Sequence, residues 1–466
     1  MHKAVITVIG AGSVNWMSQL MRDIYMEDEL CGGEIRLVDP NEEYMKAVAD
    51  MLMMFNKTRN KDYAVKMVKN RREALDGADF VLTTFSPGSL KAYRVDLELP
   101  VKYGIQVPVS MTTGIPGISS ALRTLPVAAE IVRDMEDMCP SAWLLNVTNP
   151  MTMVTQAMNA AAKNVKVVGL CHEFHGFGDY IIPMLGLERP EGVHVSDILY
   201  KWLGEQGFEY TVAGINHFIW ITEAKYKGVD FLPKIREFCR DYKSLNDYKA
   251  SVGLPPAEED PFVSVGEVKF AMCRQLGYFP MVGDRHLVEF LPSLCNTRNG
   301  YARKYNVQKT TVDHRLSLQA ARFEMIKEIA AGRQDIAWEK SSEEISAIML
   351  AVLNKKSVTG IVNLPNQGQI SNMPMGSVVE TFATIDHNGA KPKISGELPN
   401  SIGTLCRFHN DVYQLTYDAA MNGDRDKLIE AMSLDMSNGG ADFGEIPALA
   451  NELLEKNREL LPRFFA

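Results

Sequence analysis

A thiol and two imidazoles, Cys171, His172 and His175, follow directly on the apolar run Val165–Leu170. The run reads as a buried strand, which puts these side chains at a strand's carboxyl end. In open α/β sheets ligands bind at that edge. Thiolate and imidazole together suit a borderline transition metal. A cysteine by itself is more often a small buried hydrophobe, and His175 reads better as a packing or capping residue than as a ligand. Gly214-Ile215-Asn216-His217 offers a further imidazole after strand-like residues, although a satisfied core histidine would read the same way. Gly283-Asp284-Arg285-His286-Leu287-Val288-Glu289-Phe290 crowds acids, a base and a cation together. Its plainer reading is a structural ion-pair knot. Asn146 and Asn149, in Asn146-Val147-Thr148-Asn149-Pro150, serve either a ligand or a turn. Spacing brings none of these groups into contact; the fold must do so.

The elements that position them begin almost at once. Ala4–Ile9 is a short buried-strand run, followed by Gly10-Ala11-Gly12-Ser13-Val14-Asn15 and the helical pattern Trp16–Tyr25. Strand, glycine turn and helix form the context of a dinucleotide fingerprint. Gly10 makes the tight turn, Gly12 lets the backbone approach a pyrophosphate, and Ser13 lies at the helix entrance. Asn15 stands where the third glycine usually falls. The next strand, Glu34–Val38, ends at Asp39, the right place for a ribose-binding carboxylate that favours NAD over NADP.

A helix over 41–59 and strands near 63–68 and 80–84 follow, with Ser86-Pro87-Gly88-Ser89 after the last. That loop, Ser86 included, is placed to pass along a nicotinamide ribose. Val107–Ser119 reads as a mobile loop and Ser119–Met138 as a long helix carrying Arg123. A strand over Ala142–Asn146, a helix over Met151–Lys163 opened by Pro150, and Val165–Leu170 close the series. Strands alternating with helices predict an α/β doubly wound parallel sheet over residues 1–175. From 176 to 466 the pattern becomes α+β. Strand-like residues fall at 210–221, 223–229, 358–364 and 378–385, a polar Pro-rich loop at 256–261, and helices at 264–276, 309–331, 342–353, 402–421, 425–432 and 446–457.

Composition bounds the rest. With 46% apolar and 23% charged residues the chain is an ordinary globular protein with ample core. A net charge of −9 disfavours nucleic acid as a partner. Seven scattered cysteines without a Cys-x-x-Cys pair argue against a disulfide framework and for a reducing compartment. There is no leader pattern and no membrane-length apolar run, so the expectation is a cytoplasmic protein.

Gly10–Ser13, Asn146–Pro150, Gly169–His172, Gly214–His217 and Gly283–Phe290, in this order and spacing, resemble glycoside hydrolase family 4 across nearly the whole chain. The resemblance implies a Rossmann-type domain like that of lactate and malate dehydrogenases, bound NAD, and a divalent metal, usually manganese (Mn2+). It implies Cys171 and His217 as the metal ligands. It also implies an unusual glycosidase chemistry: NAD oxidises the sugar at C3, a base removes the acidified C2 proton, the glycosidic oxygen leaves, water adds, and the hydride returns. Asp284 matches the base of the α-specific members, with Tyr278 as the alternative. His172 stands where phospho-sugar members carry an acidic Asp, and takes the acid role or orients a hydroxyl. Thr112-Thr113-Gly114-Ile115-Pro116-Gly117 departs from the relatives' Asp-Thr-x-Gly-Pro-Gly-Gly. Asn146 is assigned to the cofactor; Asn149, Arg285 and His286 to the substrate. Within the family the motifs around 171–173, 214–218, 283–292 and 363–369 are most similar to the α-galacturonidase-like members, with α-glucuronides or α-galactosides as alternative substrates. Such members also suggest a homodimer or homotetramer. A plain NAD-dependent hydroxy-acid dehydrogenase would explain the sheet and Asp39, but leaves Cys171, His217 and the second half without a purpose.

Overall fold

The computed structural model describes residues 3–109, 111–257 and 265–466. Six parallel strands build the first half: β1 (Val5–Ile9), β2 (Glu34–Val38), β3 (Ala64–Met67), β4 (Phe80–Thr83), β5 (Trp143–Asn146) and β6 (Lys166–Gly169). Their spatial order, β3-β2-β1-β4-β5-β6, is that of a dinucleotide-binding doubly wound sheet. The sheet does not stop there. It continues through β10 (Val358–Pro365) and β11 (Val378–Asp386) to β7 (Phe208–Ile215), β8 (Phe218–Tyr226) and β9 (Val229–Asp230), all antiparallel, with β12 (Gly389–Pro392) also paired to β11. The second half is thus joined edge to edge with the first through Asn363 on β10, which pairs with Gly169 on β6.

Side chains alternate across the strands and feed two cores. Phe80, Leu82, Trp143 and Leu145 face helices Met17–Met26, Glu42–Arg59 and Ile345–Leu353. Val81 and Leu144 face helices Gly114–Met138 and Met151–Ala161. Among the described residues no helix is long and apolar enough to cross a membrane.

Three sequence expectations change. The loop expected over 107–119 is shorter, because the helix starts at Gly114. Pro116 falls in its first turn, where a missing N–H removes no helical bond. The strand-like stretch 210–221 is two strands, β7 and β8, with Asn216 and His217 as the turn between them. Within the loop expected at 256–261, residues 258–261 lie outside the described residues, as does Ser264, where the next helix was expected to begin; that helix runs from Glu267 to Leu276.

Candidate active site

The cofactor edge is built first. Gly10 has φ of 94°, and a Cβ there would lie 2.3 Å from the Thr84 carbonyl oxygen, so the turn after β1 admits only glycine. At Gly12 a Cβ would lie 2.7 Å from Asp39 Cγ. The reason is a hydrogen bond: Gly12 N–H donates to Asp39 Oδ2 at 2.8 Å, while Asp39 Oδ1 accepts from Asn41 N at 2.8 Å. Asp39 therefore locks the glycine loop to the end of β2. Thr84 Oγ1 donates to Ser13 Oγ at 3.2 Å, and Ser86 lies exposed in the loop after β4. The helix Met17–Met26 carries no side-chain cap. Asn146 is fully buried; its Oδ1 accepts from Thr83 Oγ1 at 2.8 Å and from Thr148 N at 3.0 Å. It holds the loop after β5 from within. Asn149 Oδ1 accepts from Met151 N at 3.1 Å and so starts the next helix.

Beyond β6 the chemistry gathers. A Cβ at Gly169 would lie 2.4 Å from Thr155 Oγ1, so β6 ends against a packed helix and delivers Cys171 past the sheet edge. His217 arrives from the β7–β8 turn, with left-handed backbone (φ 61°), which histidine tolerates better than most residues. The His286 ring stacks on the His217 ring at 3.9 Å and 24°. His286 Nε2 lies 3.3 Å from Glu173 Oε1. Thr112 Oγ1 meets His217 Nδ1 at 2.5 Å. His172 Nδ1 pairs with Glu343 Oε1 at 2.9 Å and its ring packs on Trp16 at 5.3 Å. The fold thus brings Cys171, His172, His217 and His286 into one cluster, with Glu173 at its centre.

Charge follows from these contacts. Burial, then the neighbouring His286, holds His217 well below the usual imidazole range, so it is neutral, the form that ligates metals. Burial also lowers His286, against the pull of Glu173. Burial would raise Glu173, yet His286, His217 and His172 hold it well below the usual carboxylate range. Burial would lower His172, but the Glu343 carboxylate raises it. Cys171 is pushed well above the usual thiol range by burial and by Glu380 and Glu173; a divalent cation at its sulfur would reverse that balance.

Asp284 is buried and caps the helix Glu267–Leu276. Its Oδ2 accepts from Val268 N at 3.1 Å and its Oδ1 from Lys269 N at 3.0 Å. Arg285 is lowered by burial, with the acids Glu173 and Glu289 and the cation Arg315 in its field. Glu289 Oε1 accepts from Val109 N at 2.7 Å. Tyr278 packs its ring against Arg236, 5.5 Å from the guanidinium carbon. His175 has the packing role, with His172 O at 3.0 Å and Ser196 Oγ at 3.1 Å.

Sequence reasoning assigned no role to Glu173, Thr112, Glu343, Lys269 or Glu380. Glu380 had a visible signal, a lone acid inside the apolar strand Val378-Val379-Glu380-Thr381-Phe382. Fully buried, it accepts from Asn216 Nδ2 at 3.2 Å and Asn363 Nδ2 at 2.7 Å, and burial pushes it up to about 7. Burial likewise pushes the Lys269 amine down to about 8.

Among the described residues no three His, Cys, Asp or Glu side chains form a protein-only metal cage. The arrangement fits the other kind of centre, in which few protein donors leave positions open for substrate. Cys171 and His217 carry a thiol and an imidazole of the kind such a centre would use. Near them Asn216 Oδ1, Glu380 Oε2 and His286 Nδ1 are buried without a hydrogen-bond partner among the described residues, a concentration of polar atoms that a cation, water or sugar hydroxyl would satisfy.

Comparison with known proteins agrees with this architecture. Residues 5–187 match the model of the family 4 glycosyl hydrolases, and residues 212–437 match that of the family 4 glycosyl hydrolase C-terminal domain. An alpha-galacturonidase of Thermoanaerobacter italicus is 31% identical over 462 residues, 98% of this chain and 97% of that protein. An alpha-galacturonidase of Bacillus subtilis is 32% identical over 434 residues, 91% of each. A crystal structure of a Bacillus subtilis glucosidase superposes with a TM-score of 0.84 at 29% identity, covering 97% of this chain and 100% of that one. A Thermotoga maritima 6-phospho-beta glucosidase, solved with manganese, NAD+ and glucose-6-phosphate, shares the fold at a TM-score of 0.74 and 20% identity, over 98% of each chain. The chain belongs to glycosyl hydrolase family 4 and is a glycoside hydrolase.

Proposed function

We propose that this glycoside hydrolase cleaves α-galacturonides with NAD+ and Mn2+ as resident cofactors. The carrying observation is the full-length similarity to two alpha-galacturonidases, on a chain whose half-buried Cys171 and neutral His217 both lie in the field of Glu173, just past a dinucleotide-binding sheet edge. When bound, NAD+ supplies a reversible hydride acceptor and Mn2+ a Lewis acid.

The chain's own groups do the rest. Residues 1–175 hold the dinucleotide: Gly10, Gly12 and Ser13 at the pyrophosphate, Asp39 at a ribose, Ser86 and Asn146 along the loops after β4 and β5. Residues 176–466 complete the sugar site. Cys171 and His217 hold the metal; Asn149 and His286 hold sugar hydroxyls. Asp284 takes the C2 proton, with Tyr278 as a second candidate that would first have to leave Arg236. His172, raised by Glu343, returns a proton to the departing oxygen. Arg285 pairs with the uronate carboxylate. We place the enzyme in the cytoplasm as a homodimer or homotetramer acting on a small sugar, without nucleic-acid or membrane partners.

A second reading, α-galactosidase, is favoured by 27% identity over 464 residues to an alpha-galactosidase of Bacillus subtilis. Measuring kcat/KM on p-nitrophenyl α-galacturonide, α-galactoside and α-glucuronide separates them. Loss of a charge-assisted bond should leave the neutral sugar about tenfold or more behind. Equal rates on galactoside and galacturonide would remove the carboxylate clamp.

A further inference from the structure

His217 sits at the turn between two strands, and two side chains from elsewhere contact its imidazole. Thr112 is 1% exposed and reaches His217 Nδ1 with its hydroxyl. His286 covers one ring face at 3.9 Å and is itself fixed by Glu173. Thr112 comes from the segment entering the helix Gly114–Met138, and the chain is packed closely there: a Cβ at Gly117 would lie 3.0 Å from the Thr112 carbonyl carbon. The first turn of that helix therefore fixes where Thr112 stands.

We propose that Thr112 is a positioning residue of the metal centre: its Oγ1 accepts the Nδ1–H of His217 and so presents the Nε2 lone pair to the cation. Which imidazole nitrogen ligates is set by the bond the other one makes. A hydroxyl is both donor and acceptor, so it accepts this N–H without needing to be charged. The segment 112–117, whose sequence departs from that of relatives, thereby acts on the metal through His217.

The inference rests on the reading that Cys171 and His217 bind a divalent cation. The test is direct Mn2+ titration of metal-stripped protein with NAD+ present, free Mn2+ being read by electron paramagnetic resonance. Thr112→Val keeps the shape and removes the hydroxyl; Thr112→Ser keeps the hydroxyl. Thr112→Val should bind Mn2+ about 10–100-fold more weakly, the usual effect of losing such a partner, while Thr112→Ser binds as the wild type does. NAD+ affinity should be the same in all three, which separates a metal effect from misfolding. Thr112→Val binding Mn2+ as tightly as wild type, or Thr112→Ser binding as weakly as Thr112→Val, would overturn the role of the hydroxyl. Wild-type protein that holds no Mn2+ would instead overturn the metal reading itself.

Discussion

The imidazole of His286 stacks on that of His217, ring centres 3.9 Å apart and planes inclined by 24°, and its Nε2 lies 3.3 Å from Glu173 Oε1. One carboxylate thus controls two rings from different parts of the chain. Glu173→Gln keeps the size and removes the charge that holds His286. Losing a charged hydrogen bond of this kind costs about 1.5–3 kcal/mol, so kcat/KM should fall about ten- to a hundredfold. Steady-state kinetics with an NAD+ titration as control checks this: affinity for NAD+ should be unchanged, since the charge of Glu173 acts on His286, His217 and His172.

Asp39 does two jobs, holding the Gly12 N–H and offering its carboxylate at the end of β2. Asp39→Ser should weaken NAD+ binding about tenfold, the loss of one charge-assisted bond. It should also narrow the gap between NAD+ and NADP+, because the negative charge that repels a 2′-phosphate is gone. Calorimetric titration with both nucleotides measures the ratio; an unchanged ratio would remove Asp39 from the ribose site.

Arg123 and Asp96 form a buried pair. Arg123 Nη1 donates to Asp96 Oδ1 at 3.0 Å and Nε to Pro87 O at 2.8 Å, with both side chains at most 1% exposed. The pair ties helix Ser89–Glu98 to helix Gly114–Met138 beside the loop after β4. Arg123→Met leaves Asp96 uncompensated and should destabilise the protein by about 3–5 kcal/mol. Adding Asp96→Leu should recover most of that, as replacing both partners removes the buried charge. Urea unfolding of the two variants compares them.

Glu136 gives a pH-dependent handle. Its Oε1 accepts the N–H groups of Lys163, Asn164 and Val165 at 2.7, 2.8 and 2.9 Å. Burial works to raise its carboxyl, but these bonds hold it down to about 2, from an ordinary 4.5. A carboxyl depressed in the folded state stabilises above its unfolded value and loses that contribution as pH falls through the folded one. Glu136→Gln should therefore lower Tm at pH 7, and the gap to wild type should close between about pH 5 and pH 2. Thermal scans at steps of pH across that range follow it; a gap independent of pH would assign the effect to packing.

Much of this was legible in sequence because local rules carried it. The turn at Gly10 needs positive φ, and the strand–turn–helix context announces it. Asp39 could be placed by its distance from that turn. Glu173 and Thr112 could not be assigned, because their partners lie far along the chain: Glu173 meets His286 and Thr112 meets His217, while Glu380 stands out as an acid in an apolar strand but its contacts with Asn216 and Asn363 do not. The antiparallel extension of the sheet was hidden for the same reason, since the pairing of Gly169 with Asn363 is set by tertiary packing. Tyr278 shows the converse: close in number to Asp284, it turns instead to Arg236.

In the proposed reaction the glycosidic bond breaks by elimination after removal of the C2 proton, with NAD+ bound and no net redox. Hydrolysis of an α-galacturonide in heavy water, with the product read by NMR, separates this route from ordinary hydrolysis. The expected product is galacturonate carrying deuterium at C2, with no accumulation of reduced nicotinamide. Active enzyme that releases galacturonate with the original hydrogen at C2 would contradict it.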